Sequence, residues 1–162
     1  MIFAAVGTQF PFDRLIGTLD RWANDNRDVR VVAQTGESEY VLTALEGYTY
    51  LEPDRFAKLQ AEAELIVSHA GMGAILSAGM LAKPLVIVPR QHALGEHRND
   101  HQMATARHFE NRPGIHIAWD EDALGRLLDR RHDLAAAPEL SPHASPDLLS
   151  TISDFIGAGG CR

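Results

Sequence analysis

The sequence predicts an α/β fold: a Rossmann-like, doubly wound, mostly parallel sheet of about six strands. Three observations predict it. Short continuous apolar runs, the mark of strands buried on both faces, recur along the chain. Segments of helical period separate them, which implies right-handed crossovers and helices on both sides of the sheet. Two of the runs stop at glycine-bearing loops, Gly7-Thr8-Gln9 and Ser68-His69-Ala70-Gly71-Met72-Gly73. The 162 residues are expected to form a single domain, 1–162, large enough for a substantial core.

Residues 2–6 read as a central strand that leaves through Gly7. Phe12, Leu15, Ile16, Leu19, Trp22 and Ala23 then recur at helical spacing, so a helix with Pro11 in its first turn is expected. Residues 29–33 read as the second strand, stopped by Thr35-Gly36. Residues 37–47 are ambiguous, with a short helix over 40–45 as one reading. Residues 48–51 read as the third strand, and Pro53 opens a helix through Phe56, Leu59 and Ala63. The fourth strand, 65–67, runs into the second glycine loop. The helix after it, 74–81, is apolar all round and is expected to be well buried. Residues 84–88 form the fifth strand, followed by a polar loop to Arg98. Asn99 is placed as an N-cap with Gln102 at the third helical position, the spacing of a capping box. A sixth strand at 115–118, a helix at 120–131, a Pro-, Ser- and Ala-rich connection at 135–145 and a last helix at 146–156 complete the reading. The final helix has a strong apolar side (Leu148, Leu149, Ile152, Phe155, Ile156), part of which is expected to pack on the sheet.

The net charge of −7 argues against a nucleic-acid partner held by charge. The single cysteine, Cys161, fits a reducing compartment. The first residues lack a basic n-region, and no apolar run reaches the length of a membrane span, so a cytoplasmic location is expected.

In a doubly wound sheet of order 3-2-1-4-5-6, strands one and four lie side by side where the winding reverses, and ligands bind outside their carboxyl ends. Gly7-Thr8-Gln9 then faces the Ser68–Gly73 loop, with His101-Gln102 bordering the same crevice. A strand that stops at glycines and turns into a helix aims backbone N–H groups and a positive dipole end at one point, which suits a phosphate. A Gly-x-Gly turn without a ligand would use the same residues. His97 and His101 have the i, i+4 spacing of a zinc pair, but no cysteine cluster or carboxylate set accompanies them, so neither metal nor cofactor is expected. No acidic residue follows residues 29–34 where a dinucleotide ribose would need one, which disfavours an oxidoreductase.

Gly7-Thr8-Gln9, Phe12-Asp13-Arg14-Leu15, Ser68-His69-Ala70-Gly71-Met72-Gly73, Lys83-Pro84, Pro89-Arg90 and Gly95-Glu96-His97-Arg98-Asn99-Asp100-His101-Gln102 together resemble the C-terminal domain of family 28 glycosyltransferases. The likeness runs over residues 2–104. It is strongest to the short catalytic subunits of two-subunit transferases of exopolysaccharide and capsule assembly, and of the enzyme that adds the second GlcNAc to dolichol-linked sugar. The resemblance implies the donor-binding half of a GT-B fold. It implies transfer, by an inverting reaction, from a UDP-sugar to a polyprenyl-diphosphate-linked acceptor, with a membrane-anchored partner supplying the acceptor half. It places Gly7, Thr8, Gln9, His69, Gly71, Met72 and Gly73 around the diphosphate, Ser68 in the same UDP-sugar site, and His101 and Gln102 at the donor sugar. Gln102 also keeps its capping-box reading.

Where many relatives hold the ribose with a carboxylate, this chain has Ser77, and Glu96 is the candidate substitute. A serine cannot clasp two hydroxyls as a carboxylate does. Arg90 and Arg98 bracket the sugar loop and suit a carboxylate on the donor sugar, against the simpler reading of arginines facing solvent or a partner. His69, Glu96 and His97 are the candidates for a catalytic base. The competing reading is a nucleotide-sugar-binding regulatory or scaffold module without turnover.

Overall fold

The structure is a computed structural model that describes residues 1–140 and 146–159. Six strands form one sheet: β1 (Ile2–Ala5), β2 (Val31–Gln34), β3 (Glu46–Tyr48), β4 (Leu65–His69), β5 (Leu85–Val88) and β6 (Ile115–Ile117). Their order is β3-β2-β1-β4-β5-β6 and every pairing is parallel, as the strand-helix alternation predicts. The helices are α1 (Asp13–Asp25), α2 (Pro53–Glu62), α3 (Met72–Met80), α4 (His101–Phe109), α5 (Glu121–Asp129) and α6 (Pro146–Gly159).

Successive strand residues point to opposite faces, so each run feeds two cores. On one face Ile2, Ala4, Val67 and Val86 share a core with Leu15, Ile16 and Leu19 of α1 and Leu124 of α5. On the opposite face Phe3, Ala5, Ile66 and Ile87 share a core with residues of α2, α3 and α4. Ala5 pairs with Gln34 on one side and Ser68 on the other, so β1 and β4 end level and their exit loops meet.

Several expectations need correction. Helix α1 starts at Asp13, leaving Pro11 outside its first turn, and Phe12 caps it with no side-chain bond. Residues 40–45 form no helix. Their amides turn inward onto the buried carboxylate of Asp20, which accepts from the N–H groups of Thr43, Ala44 and Leu45 and from the Thr43 hydroxyl. Strand β3 lies at Glu46–Tyr48, earlier than the 48–51 expected, because the Leu51 N–H bonds the Gln34 side chain instead of continuing the ladder. Helix α4 starts at His101 behind Asp100, and Asn99 Oδ1 accepts from the His101 N–H. Gln102 therefore has no capping-box role; its Oε1 accepts from the Arg90 N–H across the loop at 3.1 Å.

Helix α3 is not buried all round. Ile75 and Ala78 pack into the core on the sheet and Gly79 is buried beneath Leu140, whereas Met72, Leu76 and Met80 are about half exposed on the outer side. A helix on a sheet buries one stripe, and apolar composition alone does not choose which residues lie on it. The chain beyond α5 returns across this helix, and the Leu140 N–H bonds the Gly79 carbonyl. The apolar residues of α6 do not pack as expected: Leu148, Leu149, Ile152, Phe155 and Ile156 are all exposed, Phe155 to 81%. The rest of the 135–145 connection and Cys161 with the end of the tail lie outside the described residues. Among the described residues no helix is long and apolar enough to cross a membrane.

Candidate functional site

The exits of β1 and β4 enclose a crevice of about 550 Å³ at the carboxyl edge of the sheet. Gly7, Thr8 and Gln9 line one wall, and Ser68, His69, Gly71 and Gly73 line the facing wall. His97, His101 and Gln102 close it from the β5 side, and Ser77 lies deeper along α3. These predicted residues are thus brought together from three separate stretches, 7–9, 68–77 and 97–102.

The His69 ring is wedged between the two glycine loops. A Cβ on Gly7 would lie 2.9 Å from His69 Cε1, and one on Gly71 would fall within 3.0 Å of its Nε2. Gly7 also holds φ +81°, a region that disfavours side chains. Gly7 and Gly71 therefore admit the imidazole between them. Gly73 differs, since a Cβ there meets nothing within 4 Å. The first N–H groups of α3, from Met72 onward, have no partners inside the helix and carry its positive dipole end.

The Ser68 hydroxyl donates to the Ala5 carbonyl at 2.7 Å, so toward His69 Nδ1, 3.3 Å away, its oxygen can only accept. This assigns the ring hydrogen to Nδ1 and leaves Nε2 unprotonated. Burial holds the His69 pKa below its usual value, with the Arg90 charge acting in the same direction. His97 is likewise lowered, by burial first and then by His101 and Arg90. Its Nδ1 is buried with no hydrogen-bond partner. The His97 ring meets His101 edge-on at 4.5 Å, and His101 Nδ1 lies 2.6 Å from Asn99 Oδ1, which makes that nitrogen the donor.

Three predicted residues lie elsewhere, and a fourth serves a different purpose. Met72 is half exposed on the outer face, although its backbone opens α3. Glu96 is not available as a ribose ligand or a base. Its carboxylate pairs bidentately with Arg14, at 2.7 and 2.9 Å, and also accepts from the Gln91 N–H. Arg98 is exposed, its guanidinium 5.6 Å from the centre of the Phe10 ring. Arg90 reaches the crevice wall, but its guanidinium donates to four backbone carbonyls and so is not the sugar-carboxylate partner expected.

The sequence reading missed the floor. Phe56 and Gln60 of α2, with Gln34 and Ile66, form the end of the crevice beyond Ser77. A signal existed: Gln60 is a polar residue on the helical face set by Phe56, Leu59 and Ala63, and it is buried. Among the described residues no group of three or more His, Cys, Asp or Glu is placed to hold a metal.

Residues 1–131 match the glycosyltransferase family 28 C-terminal domain. The chain belongs to that family. Glycosyl transfer is the chemistry of the family, and the six-stranded parallel sheet is its GT-B C-terminal fold. The chain is similar to the solution structure of ALG13, with a TM-score of 0.62, 19% identity, and coverage of 88% of this chain and 90% of that one. It is also similar to MurG of Acinetobacter baumannii (TM-score 0.56, 21% identity, 82% of this chain) and to the glycotransferase of kitacinnamycin (0.57, 19%, 81%). It spans 42% and 35% of those two longer chains. No curated protein sequence matches the chain.

Proposed function

We propose that this family 28 domain is the UDP-sugar-binding subunit of a glycosyltransferase, and that it transfers the sugar to a polyprenyl-diphosphate-linked acceptor. The observation that carries this is the convergence of the Gly7–Gln9 loop and the α3 N-terminus on one crevice. In this reading the diphosphate lies between those two elements. Backbone N–H groups and the helix dipole stabilise charge that grows on departing UDP. The nucleobase stacks near Phe56, where Gln60 offers an amide to its polar edge, and Ser77 takes one ribose hydroxyl. His97, His101 and the Gln102 amide nitrogen face the sugar.

The acceptor half arrives as another protein, membrane-anchored, so the subunit works at the cytoplasmic face through its partner. The exposed apolar side of α6 supports this reading, because side chains such as Ile152 and Phe155 lose little on folding and gain on association. His69 and His97 remain candidates for the base, both held toward the neutral form. Inversion at the anomeric carbon follows from a single displacement by the acceptor hydroxyl.

Calorimetry with UDP and GDP tests the donor, and preference for GDP would refute it. Sugar transfer to a lipid-linked acceptor, with and without the partner, tests the division of labour; full turnover by the purified chain would refute it. Ser77, standing where a carboxylate would clasp the ribose, favours the second reading of a nucleotide-sugar-binding module without turnover. UDP binding with no transfer in the presence of the partner would decide for it.

A further inference from the structure

Phe10 stands in the left-handed region at φ +59°, and unlike Gly7 it carries a Cβ. That conformation costs free energy and persists only where its surroundings hold it. What holds it is Arg90. The guanidinium, 1% exposed as part of its residue, sits beneath the β1–α1 loop. Its Nη1 donates to the carbonyls of Pro11 (2.8 Å) and Glu96 (3.1 Å), and its Nη2 to those of Val6 (2.8 Å) and Phe10 (2.9 Å). The Phe12 ring lies 4.4 Å from the guanidinium carbon. Behind it, Gln102 fixes the Arg90 N–H, and the Arg14–Glu96 pair ties α1 to the β5 exit. A guanidinium is a planar fork with fixed donor directions, so three carbonyls of one short loop can meet it in few loop shapes.

We propose that Arg90 is a positioning residue: it sets the left-handed turn at Phe10 and so places Gly7, Thr8 and Gln9 along the diphosphate wall, without touching the ligand. The functional half of this inference rests on the donor site proposed above. It differs from two simpler roles. Charge alone would be preserved by lysine, which lacks the fork. Packing alone would lower thermal stability without changing the turn.

The test uses the full chain as wild type, Arg90→Lys, and Arg90→Lys with Phe10→Gly. A strong intraresidue HN–Hα NOE together with the backbone shifts of residue 10 reports a positive φ, and calorimetry reports UDP affinity. In Arg90→Lys, Phe10 is expected to leave the left-handed region and UDP affinity to fall about tenfold or more, because the loop is no longer preorganised. Glycine at position 10 adopts that region without steric cost and is expected to recover much of the loss. Should Arg90→Lys fail to fold, Phe10→Val opposes the same turn with Arg90 in place and is expected to weaken UDP binding likewise.

A positive φ retained at Phe10 in Arg90→Lys, with UDP affinity within about twofold of wild type, would overturn the proposal. Loss of the turn with unchanged affinity would overturn it equally. A wild-type chain that does not bind UDP refutes the donor site instead. The NOE and shifts at residue 10 need no ligand and still decide whether Arg90 sets the turn.

Discussion

Gly71→Ala is the smallest change that probes the wall of the crevice. Gly71 has φ −101° and ψ 139°, which alanine adopts readily, so backbone strain is not the issue. The new methyl would fall within 3.0 Å of His69 Nε2, closer than real Cβ atoms approach. The ring cannot simply retreat, because Gly7 lies against its other edge and Ser68 Oγ lies beside Nδ1. Overpacking of this kind costs about 1–3 kcal/mol. If the wall shifts where UDP binds, the same energy weakens affinity by roughly 5- to 150-fold, at 1.4 kcal/mol per decade.

Gly73→Ala is the control for packing and stability. It stands two residues on, has nothing within 4 Å of its Cβ, and gains helix propensity of up to about 1 kcal/mol. Melting temperature on both variants and on Gly71→Ala combined with His69→Ala, with UDP calorimetry on Gly71→Ala and wild type, makes the comparison. Removing the imidazole removes the clash, so the double variant is expected to be no less stable than His69→Ala alone. Equal stability and UDP affinity in Gly71→Ala and wild type would refute the wedge.

Asp20→Ala is expected to strand the N–H groups of Thr43, Ala44 and Leu45, and to destabilise by about 3 kcal/mol or more, or roughly 6–12 °C in Tm by calorimetry. Burial raises the Asp20 pKa, but the bonds from Leu45, Thr43 and Ala44 together outweigh it and leave the carboxyl below 3.8. Its contribution is therefore present above that value and lost as pH falls through the lower folded pKa; acid melts of wild type and Asp20→Asn check this. His69 and His97 both have folded pKa values below 6.5, so their neutral forms support folding above that pH. Stability should decline as pH falls below it, and an NMR titration in which either ring protonates at or above 6.5 would contradict the burial argument.

Local pattern in the sequence determined the fold class, the order of the strands and most of the crevice. Strands buried on both faces must be apolar throughout, and glycine-ended strands must turn, so residues 2–6 and 65–73 announce themselves. Their junction follows from the winding reversal, a topological rule that needs no side-chain detail. The tertiary structure decided the matters that depend on a partner far away in sequence. Whether residues 40–45 are helical depends on Asp20, whose carboxylate draws their N–H groups away from a helical ladder. Whether Glu96 and Arg90 act on a ligand depends on Arg14 and on the carbonyls of residues 6–11, which satisfy them first. Which side of α3 is buried depends on where the sheet lies. A charged side chain in a sequence is chemistry without an address, and only the folded chain supplies the neighbour that commits it to structure or leaves it facing the crevice.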